Sequence, residues 1–342
     1  MDHCFVDHEP GDRNRNSRTF IAATSCEPWR SSSLWHTSGI RGECSLTEEL
    51  LAVTGANGFI GHHLVNSLLV KGRVRALVRR PEEYGEKRVE VRRVDIFDKE
   101  SLVAALENVH TVYYLVHSMK SKGHEFAQLD RQGARNFLHA AEGCRVERII
   151  YLGGLGETGP ELSEHLRSRA EVGAVLQSGN VRTTVLRAAI IVGPGSASWE
   201  MLRQLVEHLT VMTTPRWVET RCQPIALRDV LGYLVGCAGV EATAGGTFDI
   251  GGPDILTYRE MMMEVAQVLG KKLRIYGIPI LSPRLSSYWV DLVTDVPSSV
   301  AKPLIDGLRS EVICHDDRIK NLVPLELTPF REAVSLALRG AI

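Results

Sequence analysis

A histidine and an arginine four residues apart, His165 and Arg169 in "HLRSR", are the first candidates for chemistry in this 342-residue chain. On a helix, residues at this spacing share one face, a turn from each other. Histidine exchanges a proton near pH ~6.5. Arginine carries a permanent positive charge on a planar guanidinium with several N–H donors. The pair therefore has the groups of an acid–base site or of a clamp for a phosphorylated ligand. An ordinary solvated helix surface is the alternative.

The elements that would position such a pair follow a regular alternation from about residue 48. Short apolar runs such as "LLAVT", "VRALV", "TVYYLV" and "RIIYLGG" are separated by longer amphipathic stretches such as "GHHLVNSLLVKG". Continuous apolar strands alternating with helices predict a parallel sheet covered on both faces. Right-handed crossovers then predict an α/β, doubly wound Rossmann fold, with the ligand at the carboxyl ends of the strands.

The first strand-to-helix turn, "VTGANGFIGHHL", carries three glycines in a G-x-x-G-x-x-G pattern. The first glycine allows the tight turn, the second lets the backbone approach a pyrophosphate, and the third lets the helix pack on the strand. Exposed amides and the positive end of the helix then hold the phosphates. With a strand before it and a helix after it, the pattern predicts dinucleotide binding. The expected cofactor contacts of this loop are Gly55, Asn57, Gly58, Phe59, Ile60 and Gly61.

The next two strands indicate which dinucleotide is bound. The second strand ends in "RALVRRPEEY", so Arg79 and Arg80 stand where NAD-selective proteins place a carboxylate on the ribose 2′-hydroxyl. Guanidinium groups match a 2′-phosphate instead, which predicts NADP(H) rather than NAD(H). Solvated arginines at a strand end, with NAD as cofactor, are the alternative. The third strand ends in "VEVRRVDIFD", where Asp95 offers an acceptor and Ile96 an apolar wall for an adenine ring.

Composition and charge limit the function classes. The formal net charge of −1 gives no basic face for a nucleic acid, so a small-molecule ligand is expected instead. The seven cysteines are scattered without a C-x-x-C pair. We interpret them as reduced thiols of a cytoplasmic protein, with no disulfide framework and no zinc or other metal site. The sequence leaves the oligomeric state open.

The chain divides into an irregular beginning and a regular remainder. Residues 1–47 are rich in Ser, Arg, Asp and Gly and show no sustained period of 2 or 3.6, which predicts a disordered N-terminal extension. Residues 48–342 are expected to form an NAD(P)-binding Rossmann domain. The simple alternation ends near residue 193, so a substrate-side lobe is expected from about 193–222 and 252–342.

The expected lobe contains three notable stretches. "GPGSASWEML" and the following residues would direct Ser196, Ser198, Trp199 and Arg216 towards the cleft. The triplet Met261–Met263 lies in an amphipathic helical pattern and predicts core and rim packing. "LSPRLSSYWVDLVTDVPSSVAKPL" is too short and too often interrupted by charge and proline to span a bilayer. It is interpreted as a packed helix, with peripheral membrane contact or a lipid-like substrate as the alternative.

Several motifs together resemble a known family. "VTGANGFIG", the acidic residue in "VDIFD", "LRAAIIVGPG" and "QPIALRDV" are similar to the extended and atypical short-chain dehydrogenase/reductases. The nearest likeness is to NAD(P)H-binding, NmrA-like and NAD-dependent epimerase/dehydratase-like members, and it covers roughly residues 49–270. The resemblance implies a Rossmann fold and a nicotinamide dinucleotide, but no established substrate.

The chain departs from that family at the catalytic positions. Active members carry Tyr-x-x-x-Lys on the helix after the fifth strand and a Ser or Thr at that strand's end. Alignment of this motif places His165 at the tyrosine and Arg169 at the lysine, while "YLGGLG" presents Gly153 and Gly154 without a hydroxyl. Ala188 stands where a proline usually supports the nicotinamide, and we expect it to contact the cofactor. The usual hydride-transfer machinery is therefore absent as such.

The substitutes still have suitable chemistry. Arg169 could hold the nicotinamide ribose through its donors, the role that the resemblance gives to lysine. A guanidinium beside His165 would lower the pKa of the imidazole and suit it to act as a general base. Where "YYLVHSM" leaves the fourth strand, Val116 is expected at the cofactor and His117 as an acid, a base or a substrate contact. Structural roles for both histidines are the alternative.

Two function hypotheses follow from different classes. The first is an NADP(H)-dependent oxidoreductase or epimerase-like enzyme acting on a small molecule, apolar or quinone-like, with a repurposed His/Arg pair. The second is a non-catalytic NAD(P)H-binding protein, either a redox sensor or an assembly subunit of a larger complex. The glycine motif supports both hypotheses.

Overall fold

A computed structural model of the chain describes residues 49–117, 125–156, 163–214, 216–277, 307, 308 and 310–342. The predicted N-terminal extension, residues 1–47, lies outside these ranges. So do residues 118–124, which follow the fourth strand, and the whole stretch 281–304 that was interpreted as a packed helix. None of the helices in the described ranges is long and apolar enough to cross a membrane.

The centre of the fold is a sheet of seven parallel strands in the order β11-β6-β5-β4-β1-β2-β3. The described strands are β1 (Leu50–Thr54), β2 (Arg73–Val78), β3 (Glu90–Arg93), β4 (Thr111–Tyr114), β5 (Arg148–Gly154), β6 (Arg182–Ala188), β7 (Ile191–Val192), β8 (Val211–Thr214), β9 (Arg221–Cys222), β10 (Ile225–Ala226), β11 (Thr247–Ile250), β12 (Leu256–Thr257) and β13 (Arg274–Gly277). The strand order reverses between β1 and β4, which is where doubly wound sheets bind ligands. The predicted α/β doubly wound fold is confirmed.

Helices connect the strands. They are α1 (Phe59–Leu68), α2 (Lys99–Leu106), α3 (Glu125–Gly143), α4 (Glu164–Gln177), α5 (Ala197–His208), α6 (Leu227–Gly239), α7 (Tyr258–Val268), α8 (Arg318–Leu322) and α9 (Phe330–Leu338). Of these, α2, α4 and α7 begin at side-chain caps that the sequence supplies. Asp98 accepts hydrogen bonds from two amides at the start of α2, and Ser163 accepts one at the start of α4. Thr257 and Glu260 form a capping box at α7.

Each face of the sheet carries its own core. Ala52 and Val53, neighbours in β1, point to opposite faces because strand side chains alternate. Val53 packs with side chains of α1 and α6, represented by Leu64 and Leu234. Ala52 packs with side chains of α2, α3 and α4. Burial on both faces explains why the strands are almost wholly apolar in sequence.

The described residues of the expected substrate-side lobe have a third core, between α5, α7 and α9. Met261 and Met262 are buried in it while Met263 is exposed, as their helical pattern predicted. Trp199 was expected to face the cleft, and that expectation is wrong. Its indole is 1 % exposed inside the lobe core, because it lies on the buried face of α5. The side chain of Arg216 lies outside the described residues.

Candidate functional site

The glycine loop joins β1 to α1 in a conformation that explains two of its three glycines. Gly55 has a φ of +64°, which glycine adopts without strain, and its carbonyl accepts a 2.8 Å hydrogen bond from the amide of Gly58. A Cβ on Gly61 would lie 2.2 Å from the Gly55 oxygen, so only glycine lets α1 approach this closely. The predicted tight turn and the close helix–strand approach are therefore both present.

A cavity of about 440 Å³ lies at the carboxyl ends of the central strands. It is bounded by the glycine loop, the ends of β4, β5 and β6, the start of α4, and side chains of the lobe. The described residues that line it include Gly55, Gly58, Phe59, Ile60, Gly61, Leu115, His117, His165, Leu166, Arg169, Ala188, Ile190, Ser198, Met201, Tyr258 and Leu308. Most predicted site residues thus meet in one place.

Two histidines and an aspartate form a chain of hydrogen bonds beside this cavity. Nδ1 of His117 lies 2.8 Å from Oδ2 of Asp130, and its Nε2 lies 3.2 Å from Nδ1 of His165. The hydroxyl of Ser168 donates to the same carboxylate oxygen at 3.2 Å. The hydrogen bonds connect Asp130 to His117 and His117 to His165. Both predicted histidines therefore belong to one connected group.

Burial and charge keep both imidazoles neutral. The pKa of His165 is lowered to about 3, first by burial, then by its neighbour His117 and by Arg169. The pKa of His117 is also lowered, mainly by burial, although the hydrogen bond to Asp130 opposes the shift. The expected effect of the guanidinium on His165 has the predicted direction but is not the main cause. At neutral pH, His165 is a hydrogen-bonding base.

Arg169 makes structural contacts that its expected role as a ribose contact did not include. Its guanidinium donates to the carbonyl of Leu152 and lies 4.9 Å from the centre of the Tyr151 ring. The phenol of Tyr151 donates to the Arg169 carbonyl at 3.0 Å. Arg169 is therefore anchored to β5 on one side while it lines the cavity on the other. Its contact with a ribose stays a prediction.

The residues predicted to hold the adenosine half lie at the ends of β2 and β3. Arg79 and Arg80 are exposed directly after β2, and Arg80 pairs with Glu83 at 2.7 Å. Asp95 is exposed and accepts a hydrogen bond from the amide of Phe97. Ile96 is 8 % exposed, because its side chain packs against Gly133 of α3. This burial leaves little of Ile96 for an adenine ring.

The remaining predicted contacts lie where their strands place them. Ala188 ends β6, is buried, and its carbonyl accepts the amide of Leu155 at 2.8 Å. Val116 follows β4 and is partly buried, directly before His117. Asn57 is exposed at the tip of the glycine loop. The structure thus places every predicted cofactor contact at the carboxyl edge of the sheet.

Sequence reasoning missed Asp130. It lies on α3 and is 4 % exposed. Ala134, Phe137 and Ala141 follow it at helical spacing and are also buried, so the carboxylate occupies an apolar stripe. A charged residue on the buried face of an amphipathic helix requires a partner, and that was the available signal. Its partner, His117, could not be read from the spacing.

Residues 55–194 match the family model described as NAD(P)H-binding. By this match, residues 55–194 are similar to NAD(P)H-binding domains. The matched segment runs from the glycine loop through β6, so it contains the predicted cofactor contacts and all three members of the hydrogen-bonded chain. The expected likeness to NAD(P)H-binding proteins and the expected nicotinamide dinucleotide are confirmed.

The chain is similar to a reductase, to a subunit of a respiratory complex and, in fold, to an oxidoreductase. The chain is 27 % identical over 259 residues to a ceramide reductase of Caulobacter vibrioides, covering 73 % of this chain and 80 % of that protein. It is 21 % identical over 312 residues to subunit 9 of the mitochondrial NADH dehydrogenase 1 alpha subcomplex of Arabidopsis thaliana, covering 86 % and 77 %. An NADPH-dependent quinone oxidoreductase from Escherichia coli, solved with NADPH, has the same fold. Its TM-score is 0.67 at 21 % identity, with 83 % of this chain and 98 % of that chain covered.

Proposed function

We propose that the protein is an NADP(H)-dependent oxidoreductase that interconverts an alcohol and a carbonyl, or a quinol and a quinone, on a small apolar substrate. One observation carries this proposal. A single cavity brings together the dinucleotide loop, a hydrogen-bonded pair of histidines and apolar side chains of the lobe. Cofactor, proton-exchanging group and substrate surface are then adjacent, as a redox reaction on carbon requires.

The residues at the glycine loop fit a dinucleotide. Gly55 and Gly61 have the backbone conformation and the close approach that such a loop needs, and Gly58 begins α1 in an extended conformation. The amides at the start of α1 would hold the pyrophosphate. Ala188, together with the cavity side of Arg169, would contact the nicotinamide half. When bound, the nicotinamide supplies or accepts the hydride.

The charge at the end of β2 favours NADP(H). Within the described ranges Arg79 has no ion-pair partner, whereas Arg80 is already paired with Glu83. An unpaired exposed guanidinium is suited to a 2′-phosphate, which offers it a bidentate, doubly charged partner. We therefore assign Arg79 as the main contact for the phosphate and Arg80 as a weaker one.

The substrate side of the cavity indicates an apolar molecule. Ile190, Met201 and Leu308 contribute side chains to the wall, and Ser198 adds a hydroxyl. Such a surface gains from burial of apolar area and offers few partners for a highly charged substrate. The names of two similar proteins, a ceramide reductase and a quinone oxidoreductase, agree with an apolar carbonyl or quinone as substrate.

The test is turnover with both forms of the cofactor. Purified protein is incubated with NADPH and a panel of quinones, apolar aldehydes and nucleotide sugars, and with NADP⁺ and the matching alcohols. The proposal expects turnover with apolar members of the panel, reduced about 10²-fold or more in His165→Gln. His139→Gln is the matched control, because His139 is an exposed histidine on α3. Tight NADPH binding without turnover across the panel would instead support a non-catalytic sensor or assembly subunit.

A further inference from the structure

We propose that Asp130, His117 and His165 form a proton relay whose outer end, Nε2 of His165, exchanges a proton with the substrate oxygen. The inference rests on the proposed function, and it assigns a positioning role to Asp130. The three groups form one line of hydrogen bonds, 2.8 Å and 3.2 Å long, that ends at the cavity. These bonds fix which nitrogen carries each hydrogen.

The carboxylate determines both tautomers. An ionised carboxylate only accepts hydrogen bonds, so Nδ1 of His117 must carry the hydrogen that points to Asp130. Nε2 of the neutral His117 then has a lone pair and accepts from Nδ1–H of His165. Nε2 of His165 is left with its own lone pair, and it has no hydrogen-bond partner in the described part of the chain. The outer end of the relay is therefore a base directed away from the buried carboxylate.

Proton transfer along this line balances the reaction. In the oxidative direction, Nε2 of His165 would take the hydroxyl proton of the alcohol, while a bound nicotinamide would accept the hydride. The Nδ1 proton of His165 moves to Nε2 of His117, which becomes an imidazolium beside Asp130. The positive charge thus comes to lie 2.8 Å from a buried carboxylate. Return of that proton to Nδ1 of His165, with loss of the Nε2 proton of His165 to water, restores the starting tautomers, and reduction is the same sequence reversed.

The charged groups around the relay set its proton affinity. Asp130 on α3 raises the pKa of both histidines, whereas Arg169 on α4 lowers it. Ser168 donates to the same oxygen of Asp130 as His117 does, and this hydrogen bond favours the ionised form of Asp130. Tyr151, packed nearby, has a pKa raised to about 12 and stays neutral at physiological pH. Asp130 is therefore the only anion found facing the relay among the described residues.

Nitrogen-15 spectroscopy tests the relay without turnover. Protein labelled at histidine is measured at pH 7 with and without NADP⁺, and the two imidazoles are assigned with His117→Gln and His165→Gln. Both neutral rings should carry hydrogen on Nδ1 and none on Nε2. A hydrogen on Nε2 of either ring in the wild-type protein would overturn the relay.

The variant Asp130→Asn adds a kinetic arm with the substrate that the panel identifies. Loss of the negative charge should lower the pKa of His117 further and reduce kcat by on the order of tenfold or more, part of the usual acid–base contribution. KM and NADPH affinity should change little, since Asp130 is not among the described residues that line the cavity. Asp229→Asn is the matched control, because Asp229 is equally buried at 4 % exposure and bonds only Thr328 among the described contacts. Equal kinetics in Asp130→Asn and wild type would overturn the relay.

The two arms separate this inference from the proposed function. A wild-type protein that shows the expected tautomers but does not bind NADPH would remove the proposed function. A protein that turns over the panel while a relay nitrogen carries the wrong hydrogen would remove only the relay. If Asp130→Asn does not fold, the spectra of the wild-type protein still decide the tautomers.

Discussion

Nε2 of His117 lies 3.2 Å from Nδ1 of His165, although 48 positions separate the two histidines in the chain. They meet because β4 and β5 are parallel neighbours, with Tyr114 paired to Tyr151. His117 leaves the end of β4, and His165 begins the helix that follows β5. At this distance two imidazolium charges would repel strongly. The neutral pair therefore takes up one additional proton at most, and the two rings titrate as a unit.

The charge of Arg169 should contribute to the pH dependence of this pair. Its guanidinium lowers the pKa of both histidines, so Arg169→Gln should raise it. The relay is a base only above its pKa. Oxidation of an alcohol should therefore fall off at a higher pH in the variant than in the wild type, while reduction should persist to higher pH. Imidazole shifts in an NMR titration and the pH profile of kcat/KM measure the change.

Arg169→Lys serves as the control, because it keeps the positive charge and loses the planar fork. Its pH profile should resemble that of the wild type, even if the lost contact with the Leu152 carbonyl weakens cofactor binding. A profile in Arg169→Gln that moves to lower pH would contradict the electrostatic argument.

Gly61 should tolerate no side chain. Alanine there would place its Cβ 2.2 Å from the Gly55 carbonyl oxygen and 2.9 Å from the Ala56 Cα. Both contacts are with backbone, so α1 must move away from the loop at a cost of about 1–3 kcal/mol. We expect Gly61→Ala to lower the unfolding free energy by that amount and to weaken NADPH binding at least tenfold. Calorimetry and urea unfolding are the measurements.

The matched control for that change is Gly143→Ala. Gly143 ends α3, and an added Cβ would meet nothing within 4 Å. Its stability and its NADPH affinity should both remain close to those of the wild type. Equal losses in the two variants would show that the effect comes from flexibility rather than from the close approach of α1.

The fold was predictable from local pattern, because each of its signals lies within a few consecutive residues. "VTGANGFIG" combines an apolar strand, a turn and a helix start, and Gly55 and Gly61 occupy the positions that their spacing indicated. Alternating apolar runs sufficed for the parallel sheet. These signals depend on backbone geometry, which neighbouring residues determine.

The candidate site was predictable only in part, because side-chain partners depend on tertiary contacts. His117 and His165 were identified separately, but their mutual hydrogen bond was not. Asp130 was missed although it lies in an apolar stripe of α3, because its partner His117 lies on another element and no local spacing indicates it. Trp199 was misplaced for the converse reason, since a large aromatic near a cleft can also serve as the core of the lobe.

The choice between NADPH and NADH should depend on Arg79 more than on Arg80. Arg79→Ala removes an exposed guanidinium without an ion-pair partner in the described structure, whereas Arg80 shares its charge with Glu83. We expect Arg79→Ala to weaken NADPH binding about tenfold, because a charge-assisted hydrogen bond to phosphate is lost. NADH binding should not change. Arg80→Ala should have a smaller effect, and Arg88→Ala, which removes the Arg88–Glu86 pair, none. Equal weakening of NADPH and NADH would contradict a 2′-phosphate contact.

Arg148 should matter for stability but not for the site, since it begins β5 at the edge opposite the cavity. The residue is 3 % exposed, and its guanidinium donates to the Val240 carbonyl at 3.0 Å and to the Thr184 hydroxyl at 3.3 Å. Arg148→Met leaves buried acceptors without donors, at a cost of about 1–3 kcal/mol in unfolding free energy. Urea unfolding should detect this loss, while NADPH affinity below the unfolding transition should be unchanged.

The control, Arg92→Met, removes an exposed ion pair with Glu90. It should lower the unfolding free energy much less, because solvent screens that pair. A loss of NADPH affinity in folded Arg148→Met would contradict this prediction. It would show that the amino end of β5 influences the cavity at the carboxyl ends of the strands.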